Sequence, residues 1–162
     1  LAKSLPDLSG LAYKQMVDIY LPVTSEHPVL RLRQNGEVYE ITKKYPKSQA
    51  DLSEMIEHTI PLKEPEFLAL AKVKGKRVAK RRYIYMHNGH RAEIDVFEEE
   101  LKGLVLVDFE FESIEIKDAF TLPDFCLVEV TQAKFLAGGK LCGKSYTDIA
   151  PLLKEFGYKK IR

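Results

Sequence analysis

Apolar and polar residues alternate along most of this chain. In an extended strand residues i and i+2 share a face, so a period of two marks a half-buried strand. Alternation of this kind runs through residues 17–21, 29–33, 37–44, 55–62, 78–85, 91–97, 104–111 and 127–131. Asn35-Gly36 and Asn88-Gly89 separate consecutive runs. Both residue types tolerate the positive φ of a type I′ turn, so 29–33 with 37–44, and 78–85 with 91–97, are predicted hairpins. Helical character is confined to the links. Residues 65–73 are Ala/Leu-rich behind a proline, 146–156 carry Ile149, Leu152, Leu153 and Phe156 at helical spacing, and 116–120 can form a short helix. No internal repeat, linker or low-complexity tract interrupts the pattern. The expectation is one α+β domain over residues 1–162, an antiparallel sheet or barrel decorated by helices.

The polar halves of these strands are unusual. Arg31 and Arg33 share a face opposite Leu30 and Leu32, while Glu40, Thr42 and Lys44 oppose Tyr39 and Ile41. Glu57 and Thr59 oppose Ile56 and Ile60, and Lys80 and Arg82 form a basic pair. Glu93 with Asp95, Asp108 with Glu110, and Glu129 with Thr131 follow in the same rhythm. A half-solvated sheet produces alternation by default. Its polar face, however, usually mixes Thr, Ser, Lys and Glu, whereas several strands here repeat one sign of charge. Segregated basic and acidic pairs point to a shared ligand that needs both. A sheet closed into a barrel would turn every pair onto the wall of its bore and leave an apolar exterior for the helices to cover. A multiply charged anion carrying a divalent metal suits such a wall. Guanidinium forks and lysines bind phosphate oxygens, and paired carboxylates are hard ligands for Mg²⁺ or Mn²⁺.

Composition narrows the choice. The 162 residues carry 25 Lys+Arg against 24 Asp+Glu, a formal net charge of +1. That balance speaks against broad capture of a nucleic-acid backbone. No apolar run reaches the roughly 18 residues of a membrane span, and the first residues do not read as a secretory leader. Cys126 and Cys142 are too few for a disulfide scaffold and lack metal-site spacing, so a reducing cytoplasm is the expected compartment.

The order of the charged pairs resembles the CYTH superfamily, the triphosphate tunnel metalloenzymes. Arg31-Leu32-Arg33 resembles that family's RxR, Thr42-Lys43-Lys44 its TxK, and Lys80-Arg81-Arg82 its KxR. Glu93-Ile94-Asp95-Val96-Phe97 is similar to E-[IL]-D-x-F, residues 104–111 to L-x-L-V-E-x-E-F, and Glu129-Val130-Thr131 to the closing EVT. Six such matches in order over most of the chain make the resemblance specific. It implies a closed eight-stranded antiparallel β-barrel with helices packed on the outside, binding a small-molecule triphosphate together with Mg or Mn. Phosphate binding then falls to Arg31, Arg33, Lys44, Lys80, Arg82 and Lys134, and metal binding to Asp108 and Glu110. Glu57, Lys80 and Arg82 are the expected catalytic residues, with Glu40, Thr42, Glu93, Asp95 and Glu129 completing the wall. The family's ExExK strand is expected upstream of Leu1, since Leu1-Ala2-Lys3-Ser4-Leu5-Pro6 resembles the segment that follows it. Glu57 and Thr59 stand where the family has two acids, and Asp108 replaces the commoner Glu. The expected activity is hydrolysis of a linear triphosphate, inorganic tripolyphosphate first, with nucleoside or thiamine triphosphate as relatives. A class IV adenylate cyclase and a non-catalytic polyphosphate-binding module are the alternatives. The resemblance leaves monomer and homodimer both open.

Three other signals carry less. Residues 138–145 fit the P-loop pattern G-x-x-x-x-G-K-[ST]. A P-loop leads into a parallel sheet with a downstream metal-binding Asp, and residues 146–162 have no room for one. The segment is therefore expected to be a Gly-rich loop entering the last helix. His87 and His90 flank a turn without supporting metal ligands, and Ser113 and Ser145 lack His and Asp partners for nucleophilic catalysis.

Overall fold

A computed structural model describes residues 1–26, 28–46 and 55–161. Its centre is a seven-stranded antiparallel sheet in the order β4-β3-β2-β1-β5-β6-β7. The strands are β1 (Tyr13–Leu21), β2 (Leu30–Asn35), β3 (Val38–Pro46), β4 (Met55–Leu62), β5 (Lys76–His87), β6 (His90–Phe97) and β7 (Val105–Phe109). Helix α1 (Glu64–Leu70) follows β4, α2 (Ile114–Ala119) follows β7, and α3 (Gly138–Leu141) and α4 (Tyr146–Glu155) come near the end.

Both predicted hairpins form, with different turns. Asn88 (φ 49°) and Gly89 (φ 82°) are both left-handed, as a type I′ turn requires. At the other hairpin Asn35 still belongs to β2 and pairs with Val38, so Gly36 (φ 63°) takes the first central position, the geometry of a type II′ turn. The outer face of the sheet buries Val17, Ile19, Leu32 and Ala79 beneath Phe67 of α1, and Tyr83, Ile94 and Val105 against Ala2. Pro61, which cannot donate to a ladder, lies in the edge strand β4.

Three features of the expected fold are corrected. The sheet is not a closed eight-stranded barrel: β4 and β7 are its two edges and do not meet. The predicted strand at 127–131 is not one. Its Val128 and Val130 pack against the C-terminal core, Ala133 N already turns back to Val130 O, and Leu127 N donates to Leu1 O. Beyond β7 the N-terminal segment adds the Ala2 N to Val105 O bond and an isolated bridge from Ala2 to Cys126, with backbone bonds from Lys3 N to Phe125 O and from Leu127 N to Leu1 O, but no further strand of the sheet among the described residues. Closure needs an unbroken, staggered ladder from first strand to last, and that is lacking here.

Nor do all helices lie outside. Tyr20, Val78 and Phe97 stand on the same sheet face as the charged pairs, by register with Arg31, Asp18 and Lys80 respectively. They form an apolar stripe at one end of that face, which must be buried. Leu136, Leu141, Cys142, Ile149 and Leu153, from α3, α4 and the turn before them, cover it. Helix α4 starts at a capping box in which Ser145 Oγ accepts from Asp148 N and Asp148 Oδ2 accepts from Ser145 N. The Ser145 of the P-loop-like pattern is thus a helix cap.

Candidate active site

Antiparallel register decides which side chains share a face. Across the sheet the pairs Glu57–Lys44, Thr59–Thr42, Thr42–Arg31, Glu40–Arg33 and Arg33–Asp18 run from β4 to β1. Met16–Lys80, Arg82–Asp95 and Glu93–Asp108 continue the row through β5 and β6 to β7. Eleven of the residues expected from the sequence therefore stand on one face: Arg31, Arg33, Glu40, Thr42, Lys44, Glu57, Lys80, Arg82, Glu93, Asp95 and Asp108. Glu110 lies just past β7 and reaches the same surface by pairing with Arg91. Glu129 and Lys134 stand apart. Both are exposed outside the sheet, Lys134 on a 3₁₀ turn, and neither pairs with this network among the described residues.

The face holds two clusters, each built on an aspartate. On β1, Asp18 takes both Arg33 Nε (2.7 Å) and Arg33 Nη2 (2.9 Å), a bidentate pair. Arg31 Nε lies 3.9 Å from the same carboxylate and Arg31 Nη2 4.0 Å from Glu40. Asp18 holds the Arg33 guanidinium above its ordinary pKa despite burial. On β6, Asp95 is only 1% exposed and receives Lys80 Nζ, Arg82 Nε (2.6 Å) and Arg82 Nη2 (2.7 Å). Arg82 Nη1 also binds Glu93, and Arg91 links Glu93 to Glu110. These contacts raise the Arg82 pKa further, the bonds to Asp95 above all. Farther out, Lys44 and half-exposed Glu57 stand 3.5 Å apart, and the Thr42 and Thr59 hydroxyls share a hydrogen bond of 3.1 Å.

Sequence reasoning missed Asp18, Tyr20 and Arg91. Asp18 and Tyr20 alternate with Val17 and Ile19, so the face assignment was readable. A single acid, however, is not a repeated pair, and only the register shows that it stands opposite Arg33, with Arg31 Nε 3.9 Å away.

Asp108 differs from the other acids. It accepts no hydrogen bond among the described residues and has Arg82 Nη2 at 3.9 Å. Its carboxyl pKa is raised, first by burial and then by Asp95, with Lys80 and Arg82 opposing. A raised acid pKa means that folding disfavours the ionised form. The cost is absent below the ordinary value of 3.8 and appears as pH climbs through the folded-state value. Asp108→Asn is accordingly expected to be slightly more stable than the parent at neutral pH, by less than ~1 kcal/mol because the side chain stays 64% exposed. The gain should vanish on acidification towards pH 4. Urea titrations at several pH values check this, and a variant less stable than the parent at pH 7 would refute it.

A face of paired guanidinium, ammonium and carboxylate groups, floored by apolar side chains at one end, defines a binder of compact, highly charged anions. Each of its cations Arg31, Arg33, Lys44, Lys80, Arg82 and Arg91 already has a carboxylate neighbour. No family model matches the sequence. The chain is 37% identical over 117 residues to the inorganic triphosphatase of Nitrosomonas europaea, covering 71% of this chain and 75% of that protein. It also superposes on the crystal structure of the inorganic triphosphatase NE1496, with a TM-score of 0.72 and 32% identity over 89% of this chain and 91% of the other. A second crystal structure, of the hypothetical protein NE1496, gives a TM-score of 0.73 at 31% identity over 90% and 95% of the two chains. The chain belongs to the CYTH superfamily of triphosphate tunnel metalloenzymes.

Proposed function

We propose that this protein hydrolyses a linear triphosphate, with inorganic tripolyphosphate as first substrate. The observation that carries the reading is the convergence of Arg31, Arg33, Lys80 and Arg82 on one sheet face, in a chain so closely related to an inorganic triphosphatase. Water attacks the terminal phosphorus, the bridging P–O bond breaks, and phosphate and pyrophosphate leave. Phosphoryl transfer asks little covalent chemistry of a protein, so positioning and charge suffice. Arg31 and Lys44 on one side, and Lys80 and Arg82 on the other, grip the phosphate oxygens. Glu57 orients the water, and the apolar floor of Tyr20, Val78 and Phe97 keeps bulk solvent from one end of the chain of phosphates.

The residues present fit a divalent metal delivered with the substrate. Among the described residues no three His, Cys, Asp or Glu side chains converge into a closed cage. Glu93, Asp95 and Glu110 are committed to arginine and lysine, which leaves Asp108, a hard oxygen donor short of positive charge, as the free ligand. Mg²⁺ and Mn²⁺ accept one or two carboxylates and fill the remaining positions with water and phosphate oxygens. Asp108 would hold the ion, with Glu110 released from Arg91 as a second ligand. Bound there, the ion supplies charge that offsets the phosphates and polarises a phosphoryl oxygen.

The test is phosphate release from tripolyphosphate, ATP and thiamine triphosphate, each with Mg²⁺ or Mn²⁺. Tripolyphosphate is expected to give the highest kcat/KM, and excess chelator should reduce release to background. Cyclic AMP from ATP would instead make the protein a cyclase. Tight tripolyphosphate binding without phosphate release would make it a binding module.

A further inference from the structure

Two arginines on one strand are usually counted as equivalent phosphate ligands. The geometry around Asp18 separates them. Arg33 presents its Nε and Nη2 edge to the Asp18 carboxylate at 2.7 and 2.9 Å, so that fork of its guanidinium is occupied. Arg31 is the opposite case. Its Nε is shielded from solvent and has no hydrogen-bond partner, and its nearest carboxylate oxygens stand at 3.9 and 4.0 Å, beyond hydrogen-bond reach. An unpaired buried donor costs folding free energy, and a ligand oxygen in that place recovers it. Tyr20 opposes Arg31 in the ladder, and the Arg31 charge acts on its phenol. Tyr20 is itself 9% exposed and packed in the C-terminal core, so the strand position beside Arg31 is fixed.

We propose that Asp18 is a positioning residue that clamps Arg33 as a fixed charge and thereby leaves Arg31 as the guanidinium that forks the phosphate. The inference rests on the triphosphate reading for its substrate, while the clamp itself is a statement about side-chain order. With Asp18 in place the Arg33 guanidinium is held in one orientation beside Arg31. If Asp18 were a mere counter-charge, neutralising it would make the face more positive and tighten polyphosphate binding with no loss of rate. Positioning predicts the reverse split: anion binding kept or strengthened, and turnover lost.

The experiment compares the full chain with Asp18→Asn, Arg33→Lys and the double variant. Asp18→Asn is expected to lower kcat for tripolyphosphate at least tenfold, with KM unchanged or smaller. Because Asp18 acts through Arg33, the double variant should be no slower than the slower single variant. In ¹⁵N spectra of the arginine Nε–H groups, Asp18→Asn should move the Arg33 signal and also the Arg31 signal, whether or not substrate is present. Unchanged kcat with tighter binding, multiplying losses in the double variant, or an unmoved Arg31 signal would each overturn the clamp. A parent protein that releases no phosphate, yet shows both signals moving in Asp18→Asn, would fail as a triphosphatase and keep the clamp.

Discussion

Asp95→Ala is expected to destabilise the fold by about 3–5 kcal/mol, the range seen when one partner of a buried ion pair is removed. The carboxylate is only 1% exposed and holds Lys80 and Arg82, whose side chains are themselves 19% and 21% exposed. Without it Lys80 loses its carboxylate partner, and Arg82, left with Glu93 and a 3.9 Å approach to Asp108, faces it from the same side of β5. At roughly 2–4 °C per kcal/mol for a chain of this size, the midpoint of thermal unfolding should fall by about 6–20 °C. Most of that loss comes from the stranded cations rather than from the pair's own net contribution. A companion variant tests the attribution: Lys80→Met added to Asp95→Ala should recover stability, because it removes one uncompensated charge and keeps an apolar side chain opposite Phe97. Urea midpoints at constant m-value measure both. If Asp95→Ala loses under 1 kcal/mol, or if Lys80→Met lowers stability further, Asp95 is not the anchor of this cluster.

The same alternation that makes such clusters readable also limits what can be read. A period of two assigns faces, and in the ladder register the strand residues named from Arg31 to Asp108 share one face. Asn88-Gly89 was legible because a left-handed pair of backbone angles is costly for most other residues. Whether the two edges of a sheet meet is a different kind of information. It depends on twist, stagger and the partner that each edge finds, none of which leaves a mark on alternation. Val128 and Val130 alternate with Glu129 and Thr131 as a strand should, yet they are claimed by the core around Leu136 and Leu153. Alternation also hides what lies across the ladder. Arg31 and Arg33 read as a matched pair in the sequence, whereas the register sets Asp18, a lone acid among Val17 and Ile19, opposite Arg33 and Tyr20 opposite Arg31. The helices were expected on the apolar outer side, and α1 is there. Tyr20, Val78 and Phe97 are apolar residues interrupting the charged rhythm, and they drew α3 and α4 onto the other side.

Arg82→Ala should cut turnover on tripolyphosphate by roughly 10²–10³, the loss that follows removal of one preorganised donor aimed at developing charge. Arg82 touches three carboxylates, Asp95, Glu93 and Asp108, so its removal does more than delete a phosphate contact. Those acids then crowd one another with Lys80 and Arg91 as their remaining cations. The predicted signature is a change in metal response. Added Mg²⁺ should raise the thermal midpoint of Arg82→Ala more than that of the parent, because an acidic cluster once held by the guanidinium is now open to a divalent ion. Arg82→Lys keeps a charge but not the fork, and Asp95 and Glu93 are engaged through three different nitrogens. It should therefore recover stability better than it recovers rate. Turnover in Arg82→Ala within threefold of the parent would remove Arg82 from the catalytic set. An equal Mg²⁺ response in the two proteins would show that its carboxylate partners are not the metal-facing acids.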